Sequence, residues 1–200
     1  MKQPTLWMIV FILLFSSCNK SADGIISKEK HPSTVIPSGF VKYTIQSGQH
    51  YADQSVYKAI ETSEMKFIAK FDSSAIYQTV LAENQDDINK LYGFSDNNAN
   101  HHQYSARFGW RWSNDALRLF AYIYNESSVT SRELTTVQIG TEINCSIRIT
   151  GNSYLFTVNN LTQTLPRTSI TTKALGYQLF PYFGGDESAP HNVNIWIRSL

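Results

Sequence analysis

A two-residue alternation of apolar and polar side chains returns in segment after segment from Phe40 onward, and it constrains the fold more than any other feature. Met65, Phe67, Ala69 and Phe71 alternate with Lys66, Ile68 and Lys70, and Ala106, Phe108, Trp110 and Trp112 alternate with Arg107, Gly109 and Arg111. Leu117, Leu119, Ala121 and Ile123 alternate with Arg118, Phe120, Tyr122 and Tyr124. The same period runs through Tyr154, Phe156 and Val158, and through Val193, Ile195 and Ile197. Successive side chains of an extended chain point to opposite faces, so each run reads as a strand with one buried face. Gly, Asn, Asp and Ser clusters separate the runs. Together they predict an all-β chain of about ten strands in an antiparallel two-sheet sandwich. Helical character is confined to Glu83–Leu91, where Asn84-Gln85-Asp86-Asp87 supplies a cap for one or two turns ahead of Ile88 and Leu91.

Charged residues make up 16% of the chain, against about 25% in an average domain, and Tyr, Phe, Thr, Ser and Asn take their place. The formal net charge is +1 and the lysines and arginines are scattered. No basic stripe is present of the kind nucleic-acid binding requires. Cys145 shares parity with Ile143, Ile147 and Ile149 and is expected in the core as an inert buried thiol.

Ahead of the alternating region lies a different kind of segment. Lys2, the apolar stretch Leu6–Phe15 and the small pair Ser16-Ser17 lead to Cys18, and this arrangement resembles a bacterial lipobox. The resemblance implies cleavage before Cys18, diacylation of its thiol and attachment of the mature protein to a membrane. Two other readings are an uncleaved spanning anchor and a secretory signal without lipid. The first needs about 20 apolar residues, about twice what is present; the second takes account of Phe15, which stands where such boxes usually carry leucine. Asn19 follows the cysteine in place of an inner-membrane-retaining aspartate, which leans the address towards the outer membrane. Residues 1–17 are thus read as signal peptide, 18–38 as a lipidated N-terminus and polar tether, and 39–200 as one β-sandwich domain.

Chemistry concentrates where the polar loop Gly93–Tyr104, with His101 and His102, runs into an aromatic and cationic strand. Arg107 and Arg111 face away from the core by parity, the next strand adds Arg118, Phe120, Tyr122 and Tyr124, and the last strand adds Trp196. Aromatic faces cover the C–H side of a sugar and guanidinium forks bind hydroxyls or uronic carboxylates, so these seven residues form a candidate ligand-binding face. The plain alternative is that they are cross-strand pairs that stabilise a sheet. His102, Tyr104 and Arg107 form an alternative catalytic set, in which base, acid and carboxylate neutraliser carry out β-elimination on a uronic acid. Adjacent histidines on a strand point apart and no ligand spacing completes a tetrahedral metal site. No cofactor motif is present. Asp72, Asp96, Asp186 and Glu187 offer oxygens for calcium without an EF-hand spacing, and Glu61 and Glu64 offer no established glycosidase separation.

The run Tyr177-Gln178-Leu179-Phe180-Pro181-Tyr182-Phe183-Gly184-Gly185, followed by Val193-Asn194-Ile195-Trp196-Ile197, resembles the closing strands of concanavalin A-like jelly rolls. The Phe40–Tyr51 opening and the central aromatic strands extend the resemblance over most of the mature chain. That superfamily groups lectins, laminin-G-like domains, glucanases and alginate-type polysaccharide lyases, and it implies two curved antiparallel sheets with ligand on the concave one. The E-x-D-x-x-E strand of its glucanases is absent, and the arginine-rich, Gln-x-His and tyrosine-lysine motifs of its alginate lyases find no match. Its catalytic residues are therefore not carried over. The expectation is a membrane-anchored lipoprotein with a non-catalytic, carbohydrate-interacting sandwich. A divergent polysaccharide lyase or glycoside hydrolase is the first alternative and a structural surface module the second.

Overall fold

The computed structural model describes residues 39–200. Cys18, the leader and the tether lie outside the described residues.

Twelve strands are found among the described residues: β1 Val41–Ile45, β2 Ala59–Thr62, β3 Glu64–Phe71, β4 Asn89–Ser95, β5 Ser105–Ser113, β6 Ala116–Asn125, β7 Ser128–Val137, β8 Ile143–Ile149, β9 Ser153–Val158, β10 Leu161–Pro166, β11 Ala174–Leu179 and β12 Val193–Ser199. They form two six-stranded antiparallel sheets. The first has the order β1-β12-β3-β8-β9-β10 and the second β2-β11-β4-β5-β6-β7. The strongly alternating segments occupy the sheet interiors. Edge strand β7, Ser-Val-Thr-Ser-Arg-Glu-Leu-Thr-Thr-Val, has both faces largely exposed, which is why its sequence shows no alternation.

The inner faces meet through aromatic rings. Phe67 of the first sheet packs edge-on against Phe108 of the second at 5.6 Å, Phe71 meets Trp110 at 5.3 Å and Phe156 meets Phe108 at 5.3 Å. Leu117, Leu119, Ala121 and Ile123 are all buried, as their period requires, and Cys145 lies among them. Burial raises the Cys145 thiol far above its ordinary pKa, which removes the thiolate a nucleophile needs.

Two local features set up the outer face of the second sheet. Asn114 and Asp115 both adopt left-handed backbone, φ 50° and 54°. A two-residue turn of this kind matches the twist of flanking strands and folds β5 tightly onto β6. In β4 the register shifts between Lys90 and Gly93, so Leu91 and Tyr92 both enter the core opposite Phe108. The extra residue puts Lys90 and Gly93 on the same outer face despite their odd spacing.

The expected helix at Glu83–Leu91 is reduced to a single 3-10 turn, Ala82–Asp86, and Asn89 already begins β4. Tertiary contacts decide this. The Gln85 side chain accepts the Thr79 N–H at 2.8 Å and donates to the Trp112 carbonyl at 2.6 Å, while Leu91 fills the core as a strand residue.

At one end of the sandwich Asp96 and Arg167 are buried together, at 0% and 4% exposure. Arg167 Nε donates to Asp96 Oδ2 at 2.7 Å, its Nη2 donates to Oδ1 at 3.1 Å, and the Tyr154 hydroxyl donates to Oδ2 at 2.6 Å. This network joins β4 and β9 across the two sheets and fixes the start of the Asp96–Tyr104 loop.

Candidate functional site

A cleft of about 550 Å³ opens on the outer face of the second sheet. Its floor comes from β4, β5, β6 and β11, with Arg107 opposite Gly93 on one side and Tyr122 on the other. A Cβ at Gly93 would run into the Ala106 carbonyl oxygen and into Cα and Cβ of Arg107. Glycine therefore lets the arginine lie down into the sheet.

As a result Arg107 is only 6% exposed. Its guanidinium sits 5.7 Å from the centre of the Tyr122 ring, and its Nε has no hydrogen-bond partner. Among the described residues no carboxylate forms an ion pair with it. Burial lowers its pKa to about 10, opposed in part by the surrounding tyrosine oxygens. Lys90 is the second cation of the cleft. Its Nζ donates to the Ile88 carbonyl and lies 4.5 Å from the centre of the same Tyr122 ring. Burial first, and then repulsion from Arg107, lower its pKa to about 8. Asp87 opposes that fall in part but makes no ion pair with Lys90, and two cations without an ion-pair partner among the described residues favour a negative ligand.

The walls are aromatic. Tyr51 meets Tyr182 edge-on at 4.9 Å, and Tyr57 lies 5.9 Å from Tyr177. Tyr57 and Tyr51 remain 80% and 70% exposed, so their ring faces are open to a ligand. His102 stacks on Tyr124 at 5.4 Å. His101 Nδ1 lies 2.8 Å from the Tyr177 hydroxyl, which also accepts the His101 backbone N–H at 3.1 Å. Accepting that bond leaves the phenolic proton free for Nδ1. Burial, then Arg107 and His102, lower the His101 pKa to about 4, so the ring is neutral at neutral pH.

Of the sequence-predicted ligand residues, Arg107, Tyr122 and Tyr124 line this cleft, as does His102 from the catalytic alternative. Tyr104 does not line it; its backbone closes the loop, bonding to Asp96 and Asn100. Arg111, Arg118 and Phe120 share the sheet but lie outside the lining. The two arginines are already neutralised, Arg111 by Asp86 at 3.4 Å and Arg118 by Glu133 at 2.8 Å. Phe120 is covered by the Arg111 guanidinium at 5.0 Å.

Trp196 requires a correction. It belongs to β12, in the first sheet, where it packs with Phe40 and Ile68. It cannot join a patch on the second. Lys90, Tyr51, Tyr177 and Tyr182 were missed as site residues. A parity count along β4 cannot place Lys90 without knowledge of the bulge, and the three tyrosines arrive from loops and β11.

Three of the four carboxylates considered for calcium are engaged elsewhere. Asp96 pairs with Arg167, Asp72 accepts from Ser74, and Glu187 accepts the Val80 and Leu81 N–H groups. Asp186 is anchored through its backbone N–H to Asp87, with its carboxylate outside the engaged set. Among the described residues no group of three or more His, Cys, Asp or Glu is placed to hold a metal ion. Glu61 and Glu64 are likewise committed, to Lys173 at 3.1 Å and to Arg148 at 2.9 Å.

No family model matches the sequence, and no curated protein matches it. Solved structures do match. Alginate lyase vAL-1 from Chlorella virus superposes with a TM-score of 0.51 at 11% identity, over 80% of this chain and 82% of that one. Alginate lyase AlyC3 superposes with a TM-score of 0.53 at 6% identity, over 79% of this chain and 71% of that one. At such identities the likeness concerns architecture alone. With the two antiparallel sheets it gives the described residues the architecture of a two-sheet jelly-roll β-sandwich.

Proposed function

We propose that the protein is an exported lipoprotein, acylated on Cys18 and held at the outer membrane, whose sandwich binds an acidic polysaccharide in the cleft without turning it over. The observation that carries the binding half is Arg107, a buried guanidinium with no carboxylate of its own. A uronate carboxylate meets the guanidinium as a planar fork, Lys90 adds a second cation, and the tyrosine rings cover the C–H faces of the sugar. Two of the solved structures with this architecture are described as alginate lyases, so alginate is the first polymer to try. The lipid half rests on Cys18 and its flanking leader.

Affinity electrophoresis tests the binding half. Parent protein is retarded in gels containing alginate or polygalacturonate and not in gels containing neutral dextran, and Arg107→Gln abolishes the retardation. Equal retardation of parent and variant would remove Arg107 from the site. Mass spectrometry of membrane-extracted protein tests the lipid half, which expects acyl chains on an N-terminal Cys18 and none in Cys18→Ser.

A second reading is favoured by the His101–Tyr177 pair beside Arg107. With the carboxylate neutralised and the Tyr177 hydroxyl turned from His101 Nδ1 to the leaving oxygen, the freed Nδ1 of the neutral imidazole can take the C5 proton. The freed electron pair forms the C4=C5 double bond, the C4–O4 bond breaks, and a phenol protonates the leaving oxygen. Ultraviolet absorbance of the unsaturated product decides between the readings: its appearance with parent protein and loss in Tyr177→Phe establishes lyase chemistry, and its absence with a bound polyuronate leaves a binding module.

A further inference from the structure

On the first sheet, Trp196 lies directly opposite Lys42 of β1 and Lys70 of β3. One row across three strands therefore reads lysine, tryptophan, lysine. Lys42 Nζ sits 5.6 Å from the centre of the indole. Neither lysine has an ion-pair partner among the described residues. In the next row Arg198 stands opposite Ile68 and lies 4.8 Å over Phe40. Phe40, Ile68 and Trp196 form a small apolar cluster separate from the main core. Lys66 and Arg148 extend the field across β3 and β8.

Carboxylates on this face are fewer and engaged. Glu64 lies between Lys66 at 3.2 Å and Arg148 at 2.9 Å, Glu142 is 3.7 Å from Arg198, and Asp72 accepts from Ser74. Cations remain in excess, arranged around an apolar centre. Strands lie about 4.8 Å apart, so β1, β12, β3 and β8 spread these charges over roughly 15 Å in the second dimension of the sheet. A single polymer chain follows one row of such a field. A plane of negative charge meets all of them together.

We propose that this face docks on the anionic headgroups of a lipid bilayer. Trp196, Phe40 and Ile68 are 6%, 8% and 8% exposed, so the rings stay beneath the surface under the alkyl stems of the cations, whose charged heads are what meets lipid phosphate. Phe40, next to the first described residue, is part of the apolar centre, so the chain enters the sandwich on this face. The two sheets lie back to back, and a bilayer beneath the first leaves the cleft of the second facing away from it. That orientation rests on the lipid-anchor reading above, whereas the affinity for vesicles does not.

The test uses the full chain carrying Cys18→Ser, which has no acyl anchor, sedimented with vesicles of phosphatidylcholine alone or mixed with phosphatidylglycerol. Lys42→Gln/Lys70→Gln is expected to weaken partition onto the anionic vesicles about 30-fold, following a contribution of about one decimal order or less per lysine, and to leave phosphatidylcholine binding unchanged. Lys42→Arg/Lys70→Arg retains parental binding. Arg132→Gln/Lys173→Gln removes the same charge away from this face and also retains it. Circular dichroism melts confirm that the variants fold. The proposal is overturned if the glutamine pair binds anionic vesicles like the parent, or if the control pair weakens binding equally, which would reduce the effect to net charge. It is also overturned if the glutamine pair loses retention on alginate gels while vesicle binding is unchanged, which would make the face a second glycan surface. None of these outcomes bears on Arg107, whose variant tests the cleft separately.

Discussion

Replacing Asp96 by asparagine isolates the buried network that joins the two sheets. Asparagine keeps the volume and one acceptor but removes the charge, leaving Arg167 at 4% exposure without a counterion. Its amide also turns a donor towards the Arg167 N–H groups or the Tyr154 hydroxyl, all of which donate to Asp96 in the parent. Breaking one side of a buried pair costs about 3–5 kcal/mol, and in a chain of this size each kcal/mol lowers the melting temperature by about 2–4 °C. The expected fall is therefore about 6–20 °C by calorimetry. The pH dependence supplies an independent check. Burial alone would raise the Asp96 pKa, but the Arg167, Tyr154 and Asn97 donors outweigh it and hold the carboxyl below its ordinary value. A depressed folded-state pKa adds stability that is complete above the unfolded pKa of about 3.9 and is lost as pH falls through the folded value. The gap between parent and Asp96→Asn should accordingly be widest near neutrality and close in strong acid. A variant within about 1 kcal/mol of the parent at pH 7, or a gap that does not narrow in acid, would refute the claim that this pair is a charged structural tie.

Three further outcomes follow from the cleft. Arg107→Met keeps the stem and removes a charge that has no partner; losing the Tyr122 contact costs less than relieving the desolvation, so polyuronate retention should vanish while stability rises by about 1 kcal/mol in urea melts. Retention by the parent should weaken roughly tenfold between pH 7 and 9.5, as Lys90 loses its proton through a pKa of about 8, and this alkaline loss should be absent in Lys90→Arg. Gly93→Ala drives a methyl against the Ala106 carbonyl and the Arg107 backbone, where nothing flexible can give way, and denaturant melts should show a loss of about 3 kcal/mol.

Most of the sandwich could be read from parity alone. Phe67, Phe108, Leu119, Phe156 and Ile195 point inward as the two-residue period requires, because a strand with one buried face writes that face into every second residue. The period fails where burial is not one-sided. It misses β7, exposed on both faces at the sheet edge, and it miscounts β4, where the bulge sends consecutive residues Leu91 and Tyr92 into the core. The same limits apply to the site. Arg107, Tyr122 and Tyr124 were legible because β5 and β6 are neighbours in sequence and in space, joined by a two-residue turn. Trp196 was misplaced because parity gives the side of a strand and not the sheet to which it belongs. Tyr51, Tyr177 and Tyr182 reach the cleft through pairings between distant segments, such as the Tyr51–Tyr182 bridge, which no local pattern encodes.

The strand order has a consequence for how the chain reaches this state. In the first sheet β12, the last strand, lies between β1 and β3, and in the second β11 lies between β2 and β4. Val41 finds its partner in Ile197, so the early strands wait for β11 and β12 before either sheet can close. Strands β4 to β7, by contrast, pair consecutively in space and can zip as hairpins. Closing the long loops last puts the rate-limiting entropy at the final step, which predicts slow folding of the kind seen when distant segments must pair. A chain stopped short of Val193 would leave β1 without a neighbouring strand and the β3 edge open, unable to commit to its native topology until β12 arrives.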